Sequence, residues 1–463
     1  MPTDRLDGIY RAILIRRFSM SISGKNTNQG ISLLTCLSLV TATMVGTGVY
    51  TSLGFQLQDQ RSGFSILCLW VLGGLISLCG ALSYAEVVAR IPRSGGEYTY
   101  LSEIYHPSLG FMAACVSLIA GFAAPISLSA IAFGTYLHAA LPLCPIRIST
   151  VGAIVLISLL HLRSLKISSL LQNGVTCVKF LLVGLFIAVG VRSAFLYPDC
   201  LRILKPQPSS LLELTRPNAG IALLFVLYAY SGWNAVTYLA GEVKNPRRTV
   251  GLSLVIGTLA VTLFYVVLNA IFLTAAPENE LRGVLNVGTV AATHLIGAMG
   301  GRIMSGIIAL GLLASISAMT WAGPRVTQRV GEDYPLFARL AKTRDNIPVR
   351  GILLQLMLVL GLIAFNSFET ILVFAQIPLL LCLMLGVIGL IILRKKRAGL
   401  EMPDTRTSFR CPFYPLPPMI FILSALAGLS YSVASKPWIA LAGVVLMLLP
   451  LILHRWITRG SHS

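Results

Sequence analysis

An all-α integral membrane protein of twelve transmembrane helices, with helices 1 and 6 broken at mid-membrane, is the fold class this sequence predicts. Three observations predict it. Of the 463 residues, 56% are hydrophobic and only 11% are charged, where a soluble domain averages about 25% charged. Apolar runs of membrane-spanning length recur along the chain and are apolar all round, without the polar face a soluble helix needs. Two of these runs are interrupted by glycine near their middles, at Gly46-Thr47-Gly48 and at Ser231-Gly232.

The spans read in order as 31–57, 63–90, 107–140, 148–166, 167–191, 217–242, 246–276, 299–328, 349–366, 368–392, 415–434 and 437–456. The breaks fall in the first and the sixth. Five spans separate them, so 31–191 and 217–392 read as two copies of one unit. An odd number of spans per copy inserts the second copy upside down. Identity between the halves is negligible, and the repeat rests on spacing. Residues 1–30 read as a cytoplasmic tail, 31–392 as the core, and 393–463 as a loop, accessory helices 11 and 12 and a short tail.

The net charge of +19 excludes less than it suggests. Most of the Lys and Arg fall at the chain ends and in alternate loops, which places both termini in the cytoplasm. Clusters such as "RKKR" at 394–397 then face anionic lipid rather than nucleic acid. The nine cysteines show no C-x-x-C spacing, and the six histidines are dispersed, so neither a metal nor a cofactor is indicated. Cys144 and Cys200 share the outer side, where a disulfide between them stays open. No nucleophile motif, zinc-protease motif or nucleotide-binding loop occurs, which argues against an enzyme and an ATP-driven pump.

A helix broken inside lipid must be covered by protein or water. The half-helix starting near Gly48 turns unpaired N–H groups and a positive dipole end into the gap, which suits a carboxylate. The carbonyls ending the first half, around Met44 and Val45, suit an ammonium. One break thus holds a zwitterion without a charged side chain, and Gly48→Leu is expected to abolish transport in a protein that still folds. Tyr228 and Tyr230 lie on opposite sides of a helix, so one of them at most covers that site. Lys179 is the one charge deep in a span, a functional position by default. Glu86, Glu97 and Glu242 sit at cytoplasmic helix ends and are expected to pair with Arg or Lys.

The stretches "MVGTGVYTSLG", "ALSYAEVVARIPRSGGEYTYLSEIYHPSLGF", "YAYSGWNAVTYLAGEVKNPRRTV", "GEDYPLFARLAKTRDNIPVRGILLQ" and "FRCPFYPLPPMIFIL" resemble the amino acid–polyamine–organocation superfamily of permeases, particularly its L-type amino acid transporter branch. The resemblance runs from about residue 30 to the end. It implies a LeuT-like 5+5 inverted repeat in the cell membrane, moving amino acids through alternating access, and neutral ones are expected because no Asp or Glu falls mid-span to pair with a cationic side chain. Residue by residue, it implies that Met44, Val45, Gly46, Thr47 and Gly48 hold the substrate's α-carboxylate and α-amino groups. Tyr228 becomes an aromatic lid, Ala229 and Ser231 receive the amine through their carbonyls, and Tyr230 and Gly232 flank them. Phe122 becomes a pocket wall. Lys179 stands where sodium-coupled relatives bind sodium, facing Ser315 or Ser317 of helix 8. Sodium-independent exchange is the expectation, with proton coupling through Lys179 as the alternative. The partners are an amino acid and the lipid bilayer, with no nucleic acid, and no heavy-chain partner is indicated.

Overall fold

The computed structural model describes residues 31–163, 181, 183–344, 347–365, 367–396 and 409–460. These are almost wholly helical. Among the described residues, nine helices are long and apolar enough to cross a membrane, or ten if one bent pair counts as a single span. The chain is a multi-pass membrane protein. Lys179 and most of the expected fifth span lie outside the described residues.

The first expected span is two helices, α1 (Leu33–Met44) and α2 (Gly48–Asp59). Local chemistry prepares the break. Thr41 bonds back to the Leu37 and Ser38 carbonyls, and Thr43 to those of Leu39 and Val40. Such back-bonding loosens a helix just before its end. Next come α3 (Gly63–Arg90), a short α4 (Glu97–Ile104), and α5 (Pro107–Val116). A π-helical segment, Ser117–Ala123, joins α5 to α6 (Ala124–Ala140). Pro125 sits in the first turn of α6, and its missing N–H leaves the ladder one bond short there. Then follow α7 (Ile146–Arg163), α8 (Val183–Leu196) and α9 (Pro208–Leu214).

The sixth span also breaks. Helix α10 (Pro217–Ala229) ends in a turn, and the chain resumes as the 3₁₀ segment Ala235–Glu242. Gly232 makes this turn with φ +98, a conformation L side chains rarely adopt, and a Cβ there would stand 3.2 Å from the Thr43 backbone. Helices α11 (Pro246–Ala275), α12 (Val287–Asp333), α13 (Val349–Phe365), α14 (Phe368–Lys396), α15 (Leu416–Ser435) and α16 (Pro437–Gly460) complete the bundle. The span expected at 299–328 is the apolar middle of α12, whose backbone leaves helical geometry at Ile296 and Gly297. Cys144 and Cys200 are free thiols, so no disulfide joins them.

One end of the bundle carries Arg90, Arg329 and Arg394 and is called the basic end below. There Ile31 bridges to Val243, tying the start of α1 to the end of the 3₁₀ segment.

Candidate functional site

The two breaks meet. A Cβ on Gly48 would lie 2.4 Å from Ala229 Cα, so the start of α2 and the end of α10 touch backbone to backbone. Nothing larger than glycine fits between them. Gly46 differs: the nearest atoms a Cβ would meet there, Met44 O, Ser315 Oγ and Thr43 O, are 3.9 Å away. A Cβ at Gly46 would therefore sit at ordinary contact distance, whereas one at Gly48 has no room. Thr43 Oγ1 donates to the Gly232 carbonyl at 3.1 Å, linking one break to the other.

A cavity of about 590 Å³ opens from this junction. Met44, Gly46, Thr47 and Gly48 form its wall on one break, and Tyr228, Ala229, Ser231 and Gly232 on the other. Phe122 joins them from the π-helical segment, its ring set edge-on to Tyr238 at 5.6 Å. The cavity continues to Arg325, Arg329 and Glu332 at the basic end. At the opposite end, Phe55 stacks between Phe225 at 5.1 Å and Phe368 at 5.9 Å, and none of the three lines the cavity. The cavity thus reaches the basic end, and the aromatic stack lies beyond its lining at the other.

The chemistry at the breaks combines donors and acceptors. The Tyr50 N–H bonds back to the Thr47 carbonyl, whereas the Gly48 and Val49 amides come too early in α2 for an intrahelical acceptor. A helix start of this kind, at the wall of a cavity, accepts an anionic group. Tyr265 of α11 supplies what sequence reading missed. Its hydroxyl lies 2.5 Å from the Met44 carbonyl and 2.9 Å from the Ala229 carbonyl, bridging the C-terminal ends of both half-helices. The Met44 carbonyl also accepts the Gly46 N–H at 2.7 Å, so both its lone pairs are engaged, whereas the Ala229 carbonyl keeps capacity for a further donor.

Several expected site residues stand elsewhere. Val45 is fully buried and off the cavity, because the chain turns its side chain into the core. Tyr230 packs against Trp70 and Tyr265, with its hydroxyl donating to the Trp70 carbonyl at 3.0 Å, so of the two tyrosines only Tyr228 reaches the cavity. Ser317, held 3.0 Å from His161 Nε2, and Ser315, which lies behind Gly46, are both buried and off the cavity. Glu97 is buried and pairs with Asn234 and Tyr238 rather than with a base. Glu86 does pair as expected, with Arg90 and Arg394. Only long-range packing reveals Tyr265 and the aromatic stack. A local hint existed for Phe55, which follows Gly48 by two helical turns on a half-helix directed away from the basic end.

The sequence profile described as amino acid permease matches residues 31–453. The serine/threonine exchanger SteT of Bacillus subtilis (strain 168) is 27% identical over 399 residues, covering 85% of this chain and 88% of that protein. The human cystine/glutamate transporter is 27% identical over 435 residues, covering 90% of this chain and 83% of its own length. The mouse Asc-type amino acid transporter 1 is 24% identical over 429 residues, covering 90% and 79%. With two broken helices facing one cavity and a family match running through nearly all of its length, the chain belongs to the amino acid permease family, of the amino acid–polyamine–organocation superfamily, whose members are transporters rather than enzymes.

Proposed function

We propose that the protein is a secondary active transporter that exchanges neutral L-amino acids across the cell membrane by alternating access, without sodium. The observation that carries this reading is the cavity itself. It joins a helix start and two helix ends at the breaks, and it reaches the basic end while an aromatic stack lies beyond its lining at the other. The amides of Gly48 and Val49 take the α-carboxylate. The carbonyls of Ala229 and Ser231 take the α-amino group, the first shared with Tyr265, and the Met44 carbonyl, which already accepts from Gly46 and Tyr265, bounds the subsite. Tyr228 and Phe122 cover the side chain. Among the described residues, the carboxylates on the cavity wall, Glu242 and Glu332, stand toward the basic end, and Glu97, which reaches Asn234 of the second break, is buried off the cavity, which favours neutral substrates.

The proposed frame has twelve spans with cytoplasmic termini. Residues 31–191 and 217–392 are the inverted repeats of a LeuT-like core, and 393–463 carry the accessory helices. The basic end then faces the cytoplasm and the cavity is inward-open. Lys179 takes the place of sodium in this reading, on the strength of the family resemblance. One of the relatives named above is called a serine/threonine exchanger, which supports exchange as the mode.

Proteoliposomes preloaded with one neutral amino acid test this. External labelled amino acid is expected to enter at equal rates in sodium and in choline, and only when the lumen is loaded. Loss of uptake in choline would overturn the role given to Lys179. Uptake into empty vesicles driven by a proton gradient would favour proton coupling over exchange. Competition by amides or decarboxylated amines as strong as that of the parent amino acids would refute recognition of the backbone zwitterion.

Tyr265→Phe tests the amine subsite. Removing the hydroxyl leaves the buried Ala229 carbonyl without its donor, at about 1–3 kcal/mol for a group left unpaired, while the Met44 carbonyl keeps the Gly46 N–H. Part of that cost falls on the empty protein, where the two half-helices lose their bridge. Thermal stability is expected to fall, and added amino acid, whose ammonium replaces the lost donor, is expected to restore more of it than in the wild type. An unchanged melting temperature would show that Tyr265 holds neither carbonyl.

A further inference from the structure

We infer that Gln376 reads the substrate's side chain and selects neutral amino acids that carry a hydroxyl or a carboxamide. The inference rests on the permease reading above and names the substrate class of the same site. Gln376 lies on α14, is 6% exposed, and belongs to the cavity wall. Its Oε1 is buried without a hydrogen-bond partner. Eight other described side chains hold a buried unpaired polar atom, and none of them lines the cavity.

Depth places Gln376 opposite the breaks. Phe55 and Phe368 stack at the end opposite the basic one. From Phe55, α2 returns to Gly48 over seven residues, or ~10 Å. From Phe368, α14 descends to Gln376 over eight residues, or ~12 Å. The amide ends that suit a carboxylate and the unpaired carboxamide thus stand at about the same level across one cavity. Leu379, Leu380 and Leu383 continue the α14 wall toward the basic end, so Gln376 is the polar position on an otherwise apolar face.

The chemistry follows from the carboxamide. A half-turn about its last torsion exchanges a donor for an acceptor, so it complements a group that both donates and accepts. Hydroxyls and carboxamides do both. An alkyl side chain would fill the same space and leave the amide unsatisfied, which is the condition under which a polar site rejects an apolar isostere. A side-chain carboxylate would match only the donor half and would bring an uncompensated charge to an apolar wall.

Paired substrates test the inference on the full chain in preloaded proteoliposomes. Unlabelled serine is compared with alanine, and threonine with valine, as competitors of labelled uptake. Wild-type protein is expected to favour serine and threonine by about fivefold, the worth of one hydrogen bond of average strength. Gln376→Leu is expected to erase that preference while alanine and valine compete as well as before or better. A monodisperse elution profile and a melting temperature near that of the wild type certify that the variant folds. If it does not fold, Gln376→Met, an unbranched side chain of similar length, serves in its place. A serine-to-alanine ratio unchanged by the substitution overturns the inference, as does wild-type protein that fails to distinguish the pairs or favours glutamate over serine. If no α-amino acid competes with or thermally stabilises the wild type, the permease reading fails and takes this inference with it.

Discussion

Leucine at Gly46 is expected to abolish amino acid exchange in a protein that remains folded, whereas leucine at Gly48 is expected to disrupt the fold. The two glycines are one residue apart and face different surroundings. At Gly46 a side chain would enter the cavity, with no atom closer than 3.9 Å to its Cβ. A leucine there adds bulk to the cavity wall between Met44 and Gly48, next to where the substrate's backbone groups are proposed to lie. At Gly48 even a Cβ would meet Ala229 Cα at 2.4 Å, and that contact is backbone, so no rotamer relieves it. The half-helices must separate, and overpacking of this kind costs about 1–3 kcal/mol or more. The sequence expectation, that Gly48→Leu folds normally and only blocks the site, is therefore revised. Monodispersity and melting temperature in detergent, read beside uptake, separate the two outcomes. Normal exchange by Gly46→Leu would remove the break from the substrate site. A Gly48→Leu protein with wild-type stability would contradict the close approach of α2 and α10.

The positions of the breaks were legible because glycine inside an apolar run is a local signal. Gly46-Thr47-Gly48 and Ser231-Gly232 stand where the helices end. Helix ends next to polar loops were legible for the same reason, and 63–90 and 107–140 match α3 and the α5–α6 span. What faces the cavity was not legible where it depends on rotation about a helix whose sides are all apolar. Tyr228 and Tyr230 differ only in which neighbour they meet, and Trp70 and Tyr265, distant in sequence, decide it. Tyr265 and Gln376 belong to apolar spans that show no break, and nothing near them in sequence singles them out. Glu97 was expected to find a base because the loop around it is basic. Its carboxylate instead turns inward to Asn234, a residue of the second break, which only the folded chain brings near.

Removing the Glu86 carboxylate is expected to cost more stability than any other single charge change discussed here. Glu86 is fully buried. It accepts hydrogen bonds from Arg90 at 2.7 Å and 3.0 Å, from Arg394 Nε at 2.9 Å, and from the Cys411 backbone N–H at 2.9 Å. One side chain thus joins α3, the end of α14 and the segment that enters α15. Arg394 is further fixed by the Tyr414 ring, 3.7 Å from its guanidinium carbon. In Glu86→Ala two arginines face each other without an anion, and breaking a buried pair in this way costs about 3–5 kcal/mol. Glu86→Gln keeps an acceptor for the Cys411 amide but loses the charge, so its loss is expected to be smaller. The exposed pair Lys436–Glu369 gives the contrast. Its N–O distance is 3.0 Å, yet both side chains are nearly half exposed, and solvent reduces such a pair to about 0–1 kcal/mol. Melting temperatures should therefore fall in the order Glu369→Ala least, Glu86→Gln next, Glu86→Ala most. Raising the salt concentration should narrow the gap between wild type and Glu369→Ala but not that for Glu86→Ala, because a buried pair is screened far less than an exposed one. Equal losses for Glu86→Ala and Glu369→Ala would mean that the carboxylate does not bind the three elements together. Because α14 also carries Gln376 and the leucines of the cavity wall, a loosened anchor at its basic end is expected to reach the site. Glu86→Ala protein that remains folded should show weakened substrate affinity as well as lowered stability, whereas Glu369→Ala should show neither.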